Sequence, residues 1–180
     1  MSVTLPFSQS TYGGHLACTS IAVGVACATA NGHTTSETSL QQLTKEGCTR
    51  WVHSSQGVQH AEEVVATSDV AAGLCVESNV CSAHAAHDGR GRLKSVFEEM
   101  AAADSSAAVV TDGASSYSVG YQCKSEPRFF IFNSHSPNAV LHLVDTAEAV
   151  ERSLVGMLAQ TTSVDVTTFL PKIVIRADCL

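Results

Sequence analysis

The chain has 180 residues and a mass of 18.8 kDa, a length that predicts a single domain over residues 1–180 with room for a substantial core. Hydrophobic residues make up 44% and charged residues 15%, the balance of an ordinary globular protein. Seventeen acidic residues against ten basic ones give a net charge of −7 with no basic run, which argues against nucleic acid as a partner and suits a cationic partner or plain solubility.

Seven cysteines lie scattered without the spacing of a small secreted framework, which favours a reducing, cytoplasmic compartment. The uncharged run from Leu16 to Ala30 is shorter than the roughly 18–20 apolar residues a membrane span needs. Residues 1–30 hold no Lys or Arg, so the positive region of a signal peptide is missing. The run reads as a central buried helix, and no membrane partner is expected.

In chain order, residues 1–17 read as an extended lead-in with turn chemistry at Pro6, Ser8-Gln9-Ser10 and Gly13-Gly14. A helix is predicted from Cys18 to Ala30, its small residues Ala22, Gly24, Ala26 and Ala28 permitting close neighbours, and Asn31-Gly32 ends it. Thr35 or Ser36 caps a second helix through Leu40 and Leu43 toward Cys48. A third covers about Val58 to Thr67. Residues 68–90, broken by Asp69, Gly73 and Ser78-Asn79, read as short helix plus loop. Leu93, Val96, Phe97 and Met100 are spaced for a helix over Arg92–Ala103.

The period then changes. Ala107 to Thr111 and, after the turn Asp112-Gly113, Tyr117 to Gln122 read as strands, the second alternating large and small residues as if half-buried. Further strands follow at 128–133 and at Ala139–Val144. Thr146 caps a helix through Val150, Leu154 and Met157, and a final strand is expected at Lys172–Arg176. Helices, then an antiparallel meander, then helix and strand predict an α+β fold, an N-terminal helical part packed on a central, mostly antiparallel sheet.

Cys18 heads the first helix, where the helix dipole and a nearby imidazole turn an inert thiol into a nucleophile. By itself a cysteine in an apolar helix is more often a small core residue. The strand Phe129-Phe130-Ile131-Phe132 runs into Asn133-Ser134-His135, and the alternation of a strand puts Asn133 and His135 on one side, where a carboxamide orients an imidazole. A turn-initiating Asn is the competing explanation. Cysteine, histidine and asparagine together make a cysteine-protease constellation. Gln9, upstream, has the chemistry of an oxyanion donor. Asp145 or Asp112 could substitute for Asn133 as orienter, though neither stands two residues from His135. Cys75, Cys81, His84 and His87 have soft ligand atoms, but their spacing fits no familiar zinc finger. No metal and no cofactor are expected.

The run Gly13-Gly14-His15-Leu16-Ala17-Cys18-Thr19-Ser20, with Gln9 before it and Phe129 to His135 after it, resembles the deubiquitinating cysteine proteases of herpesvirus large tegument proteins and their tegument-like relatives. The resemblance spans nearly the whole chain and implies a papain-like fold. It also implies that Cys18 is nucleophile, His135 base, Asn133 orienter and Gln9 oxyanion donor, with Gly13 and Gly14 walling a channel for a Gly-Gly tail. The implied partner is ubiquitin or a ubiquitin-like protein, hydrolysed after its C-terminal glycine by a monomer in the cytoplasm, in the nucleus or inside a host cell. One departure stands out: the family has Asp where this chain has Asn133. That leaves open a protease-like module that binds ubiquitin without cleaving it, and another cysteine-dependent hydrolase or acyltransferase.

Overall fold

The computed structural model describes residues 1–33, 35–55, 77–84, 89–102, 105–112, 114–122, 128–135, 137–158 and 163–170. Its helices are α1 (Cys18–Ala30), α2 (Glu37–Ser55), α3 (Gly89–Ala101) and α4 (Ala147–Met157). Its strands are β1 (Ser2–Thr4), β2 (Glu77–His84), β3 (Ser105–Thr111), β4 (Ser116–Gln122), β5 (Arg128–Asn133), β6 (Val140–Val144) and β7 (Ser163–Leu170). The seven strands form one sheet in the order β1-β6-β5-β4-β3-β7-β2, and every described pairing is antiparallel.

Both faces of this sheet are covered, which is why β5 reads as an unbroken apolar run rather than an alternation. Phe129 and Ile131 pack into one core with Ala108, Val110, Tyr117 and Val119, under Leu93 and Phe97 of α3 and Val150 and Leu154 of α4. Phe130 and Phe132 enter the other core with Ile21 and Val25 of α1 and Leu40 of α2. Each fully buried Phe or Ile contributes roughly 1.5–3 kcal/mol. The helices are therefore not gathered in an N-terminal part on one side of the sheet. α1 and α2 cover one face, and α3 and α4 the other.

Every residue of α1 is buried except Ala28, as expected for a helix apolar all round. It lies between the sheet and α2. Ala22 and Ala26 touch Ala107, Val109 and Phe169, and Ser118 donates a 2.9 Å hydrogen bond to the Ala22 carbonyl. The small residues of β4 face this helix. The expectation of a half-buried strand fails for that reason: Ser116, Ser118 and Gly120 are small because α1 lies on them, and the strand is buried from Ser116 through Tyr121.

Two further expectations change. Residues 77–84, expected as helix plus loop, form β2, which pairs along its whole length with β7. That partner lies some eighty positions away, so nothing local specifies the pairing. β7 itself was not anticipated, although Val164-Asp165-Val166 alternates buried and exposed as a strand does. The expected strand at 172–176 and helix at 58–67 lie outside the described residues. No helix of the described residues is long and apolar enough to cross a membrane.

A side chain at Gly120 would collide with the Phe130 ring and come within 2.9 Å of Thr29 on α1. Gly120→Ala is expected to lower unfolding stability by about 1–3 kcal/mol, read as a lower urea midpoint with an unchanged slope.

Candidate active site

The N-terminus of α1 has neither a side-chain cap nor an acidic residue in its first turn. Its leading N–H groups and the positive end of its dipole are left for something other than the helix's own residues. α4 is the contrast, with Thr146 accepting from the Ala149 N–H and Glu148 in the first turn. Cys18, 9% exposed, is the first residue of α1, and Thr19 shares a 2.9 Å hydroxyl–hydroxyl hydrogen bond with Ser116 at the start of β4. That bond pins the helix start to one end of the sheet.

His135 reaches the same end from β5. Asn133 Oδ1 accepts from the imidazole Nδ1 at 2.6 Å and from the His135 backbone N–H at 2.9 Å. Turn former and imidazole orienter, the two alternatives for Asn133, are one arrangement. A carbonyl oxygen only accepts, so Nδ1 carries the proton and the lone pair lies on Nε2. The Tyr117 ring packs against the imidazole at 5.6 Å between centroids, tilted by 46°. Burial pushes the His135 pKa below its ordinary value, and Asp112 opposes that shift. Burial pushes the Tyr117 pKa up, with the Ser115 side chain opposing and the negative charges of Asp112 and Cys18 adding to it. Tyr117 thus packs against the imidazole and lies within electrostatic reach of Cys18. The thiol makes no hydrogen bond to the imidazole itself, an openness common in unliganded catalytic pairs.

The lead-in supplies the third side. Gln9 sits in a 3₁₀ turn (Gln9–Tyr12), and its backbone N–H donates to the Ser134 carbonyl at 2.9 Å. The Gln9 carbonyl accepts from the Gly14 N–H at 3.0 Å and from the Cys48 thiol at 3.6 Å. Its side-chain Nε2 donates to the His15 carbonyl at 3.0 Å, and the second N–H of that amide remains as a donor. Oε1 is buried without a partner.

The two glycines have distinct physical roles. Gly13, exposed, adopts φ +74°, a left-handed turn that a glycine takes at no steric cost. Gly14 is buried, and a side chain there would strike Cys48 of α2. The described structure thus brings Cys18, Gln9, Asn133 and His135 to one end of the sheet, with Gly13 and Gly14 linking Gln9 to Cys18. Asp145 is engaged elsewhere, 3.5 Å from Arg128.

Tyr117 and the Thr19–Ser116 pair escaped sequence reasoning, because a strand's first residues carry no mark of what crosses their end. Among the described residues no group of three or more metal-ligating side chains forms. Cys75 and His87 lie outside the described residues, and Cys81 and His84 fall on β2.

No protein-family model matches the sequence, and no curated protein matches it. Among solved structures the chain is similar to the ubiquitin-specific protease encoded by murine cytomegalovirus tegument protein M48, solved in complex with a ubiquitin-based suicide substrate. The match has a TM-score of 0.62 at 14% sequence identity and covers 94% of this chain and 84% of that one. The chain shares its fold with a viral protease. At that identity the likeness establishes the α+β architecture, and the roles of individual side chains rest on chemistry.

The downward shift of His135 has a consequence for stability. A group whose folded pKa lies below its unfolded value, about 6.5 for histidine, contributes stability that is present above that value and lost as pH falls through the folded pKa. Thermal unfolding of the wild type is expected to weaken below pH 6.5 more steeply than that of His135→Gln. Parallel curves for the two proteins would contradict the burial argument.

Proposed function

We propose that this protein is a cysteine-type deubiquitinase, cleaving the isopeptide or peptide bond after the C-terminal glycine of ubiquitin or a ubiquitin-like modifier. The observation that carries this reading is the 2.6 Å bond from His135 Nδ1 to Asn133, at the same sheet end as the uncapped, cysteine-headed α1. The shared architecture with a ubiquitin-specific protease supports the choice of substrate.

In this mechanism Nε2 of His135 takes the Cys18 proton as sulfur attacks the glycine carbonyl. The resulting imidazolium returns a proton to the leaving amine, and water then hydrolyses the thioester. The Gln9 amide and the first N–H groups of α1 stabilise the tetrahedral oxyanion. Gly13, exposed beside this end, contacts the Gly-Gly tail, with Gly14 holding the loop. The net charge of −7 suits a tail that carries arginine. No metal or cofactor takes part.

The neutral Asn133 and the missing thiol–imidazole hydrogen bond favour one second reading, a module that holds ubiquitin without cutting it. A ubiquitin probe with a C-terminal electrophile separates the two. Covalent capture is expected, abolished by Cys18→Ala and slowed by about 10²-fold or more in His135→Ala. Tight binding with no adduct would instead support the module.

In a steady-state assay with a ubiquitin–fluorophore conjugate, Gln9→Ala is expected to lower kcat by about 10²–10³-fold with little change in KM. An unchanged kcat would remove Gln9 from the mechanism.

A further inference from the structure

The orienter of His135 is neutral, and the imidazole is half-buried. A proton arriving on Nε2 during attack creates a cation in a site where burial disfavours charge and Asn133 supplies only a dipole. A counter-charge elsewhere in the site would lower that cost.

The sheet register locates one. In β3, Ala108 and Val110 share the face of Tyr117 and Val119 in β4 and of Phe129 and Ile131 in β5. Continuing the alternation, Asp112 follows Val110 on that face, and Asn133 follows Ile131. The pairing of Thr111 with Ser116 carries Asp112 opposite Ser115, where the Asp112 N–H donates to the Ser115 carbonyl at 3.2 Å. The pairing of Ser118 with Phe132 likewise sets Asn133 beside Tyr117. The row across the strands is thus Val110, Tyr117 and Asn133, and Asp112 and His135 each lie two residues beyond it on the same face, at the sheet end where α1 begins.

Neighbouring strands are about 4.8 Å apart, so β3 lies two spacings from β5, with β4 between them. The carboxylate is held in place: its Oδ1 accepts from the N–H groups of Ala114 and Ser115 at 2.9 and 2.8 Å. Among the described residues, Tyr117 from the same hairpin packs on the imidazole, and Cys18 of α1 acts electrostatically on Tyr117. From α4, the Met157 carbonyl accepts from the Tyr117 hydroxyl at 3.2 Å. Asn133 is neutral. His142 of β6 pairs with Ile131, and its Nδ1 shares a 2.8 Å hydrogen bond with the Ser2 hydroxyl.

We propose that Asp112 is the electrostatic partner of His135: a positioning residue on the β3–β4 hairpin that stabilises the imidazolium formed when Cys18 gives up its proton. The inference rests on the deubiquitinase reading for its part in turnover. Its effect on the imidazole stands apart from any substrate.

The test is Asp112→Asn, which keeps the Oδ1 acceptor of the turn while removing the charge. The His135 imidazole resonance, assigned by its loss in His135→Ala, is followed by NMR titration of the full chain. Hydrolysis of a ubiquitin–fluorophore conjugate is measured against pH in parallel. The His135 midpoint is expected to fall, because loss of a nearby negative charge disfavours the cation. The acid limb of kcat/KM is expected to move down with it. Adding Asn133→Asp to the variant returns a carboxylate to the ring, and both are expected to move back up. A His135 midpoint unchanged or raised in Asp112→Asn overturns the proposal, even if activity falls through damage to the hairpin. Absence of ubiquitin hydrolysis in the wild type overturns the deubiquitinase reading, while the titration still judges Asp112.

Discussion

The docking of α1 on the small face of β4 is the contact on which the rest of the molecule depends. A helix with no polar side cannot stay at a surface, and this one is enclosed by the sheet below and α2 above. It can approach the sheet closely because Ser116, Ser118 and Gly120 offer little bulk, and because two hydroxyls turn that closeness into hydrogen bonds, Thr19 with Ser116 and Ser118 with the Ala22 carbonyl. These bonds fix the helix along its axis as well as its distance. The axial position sets where Cys18 stands relative to the end of β5. A shift of one helical turn, about 5.4 Å, would carry the thiol away from Tyr117.

The site is held from three directions by short-range contacts, which gives it a defined shape before any ligand arrives. The lead-in is tied to both of the other sides: the Gln9 backbone bonds Ser134, and its side chain bonds His15, three residues before the thiol. The helix is tied to β4. The imidazole is clamped between the Asn133 oxygen and the Tyr117 ring. The clamp leaves one ring nitrogen with a lone pair, and burial disfavours a proton on it. The same burial makes the imidazolium costly. A carboxylate on the neighbouring hairpin answers that cost from a distance, where a carboxylate bonded directly to the ring would answer it by contact.

A good part of this was legible in the chain. The boundaries of α1 follow from an uncharged stretch of small residues that ends at Asn31-Gly32. The helix after Thr146 follows from its cap and its spacing of Val150 and Leu154. β5 follows from Phe129 to Phe132. Asn133 and His135 face one way because strands alternate, a rule that needs no tertiary partner. The pairing of β2 with β7 was not legible, since a pairing across some eighty positions leaves no local periodicity in Ser78-Asn79-Val80-Cys81. The covering of both sheet faces was also missed. Small residues on β4 look the same in sequence whether they meet water or a helix.

What the sequence determined by itself is therefore local: which segments coil, which extend, and which polar residues stand at their ends, since caps, periods and turns act over a few residues. Tertiary structure alone decided which ends meet. The convergence of Gln9, Cys18, Tyr117 and His135 comes from sheet order and from the depth at which α1 settles, and both are set by packing between segments about a hundred residues apart, where surface burial and not local propensity chooses the partner.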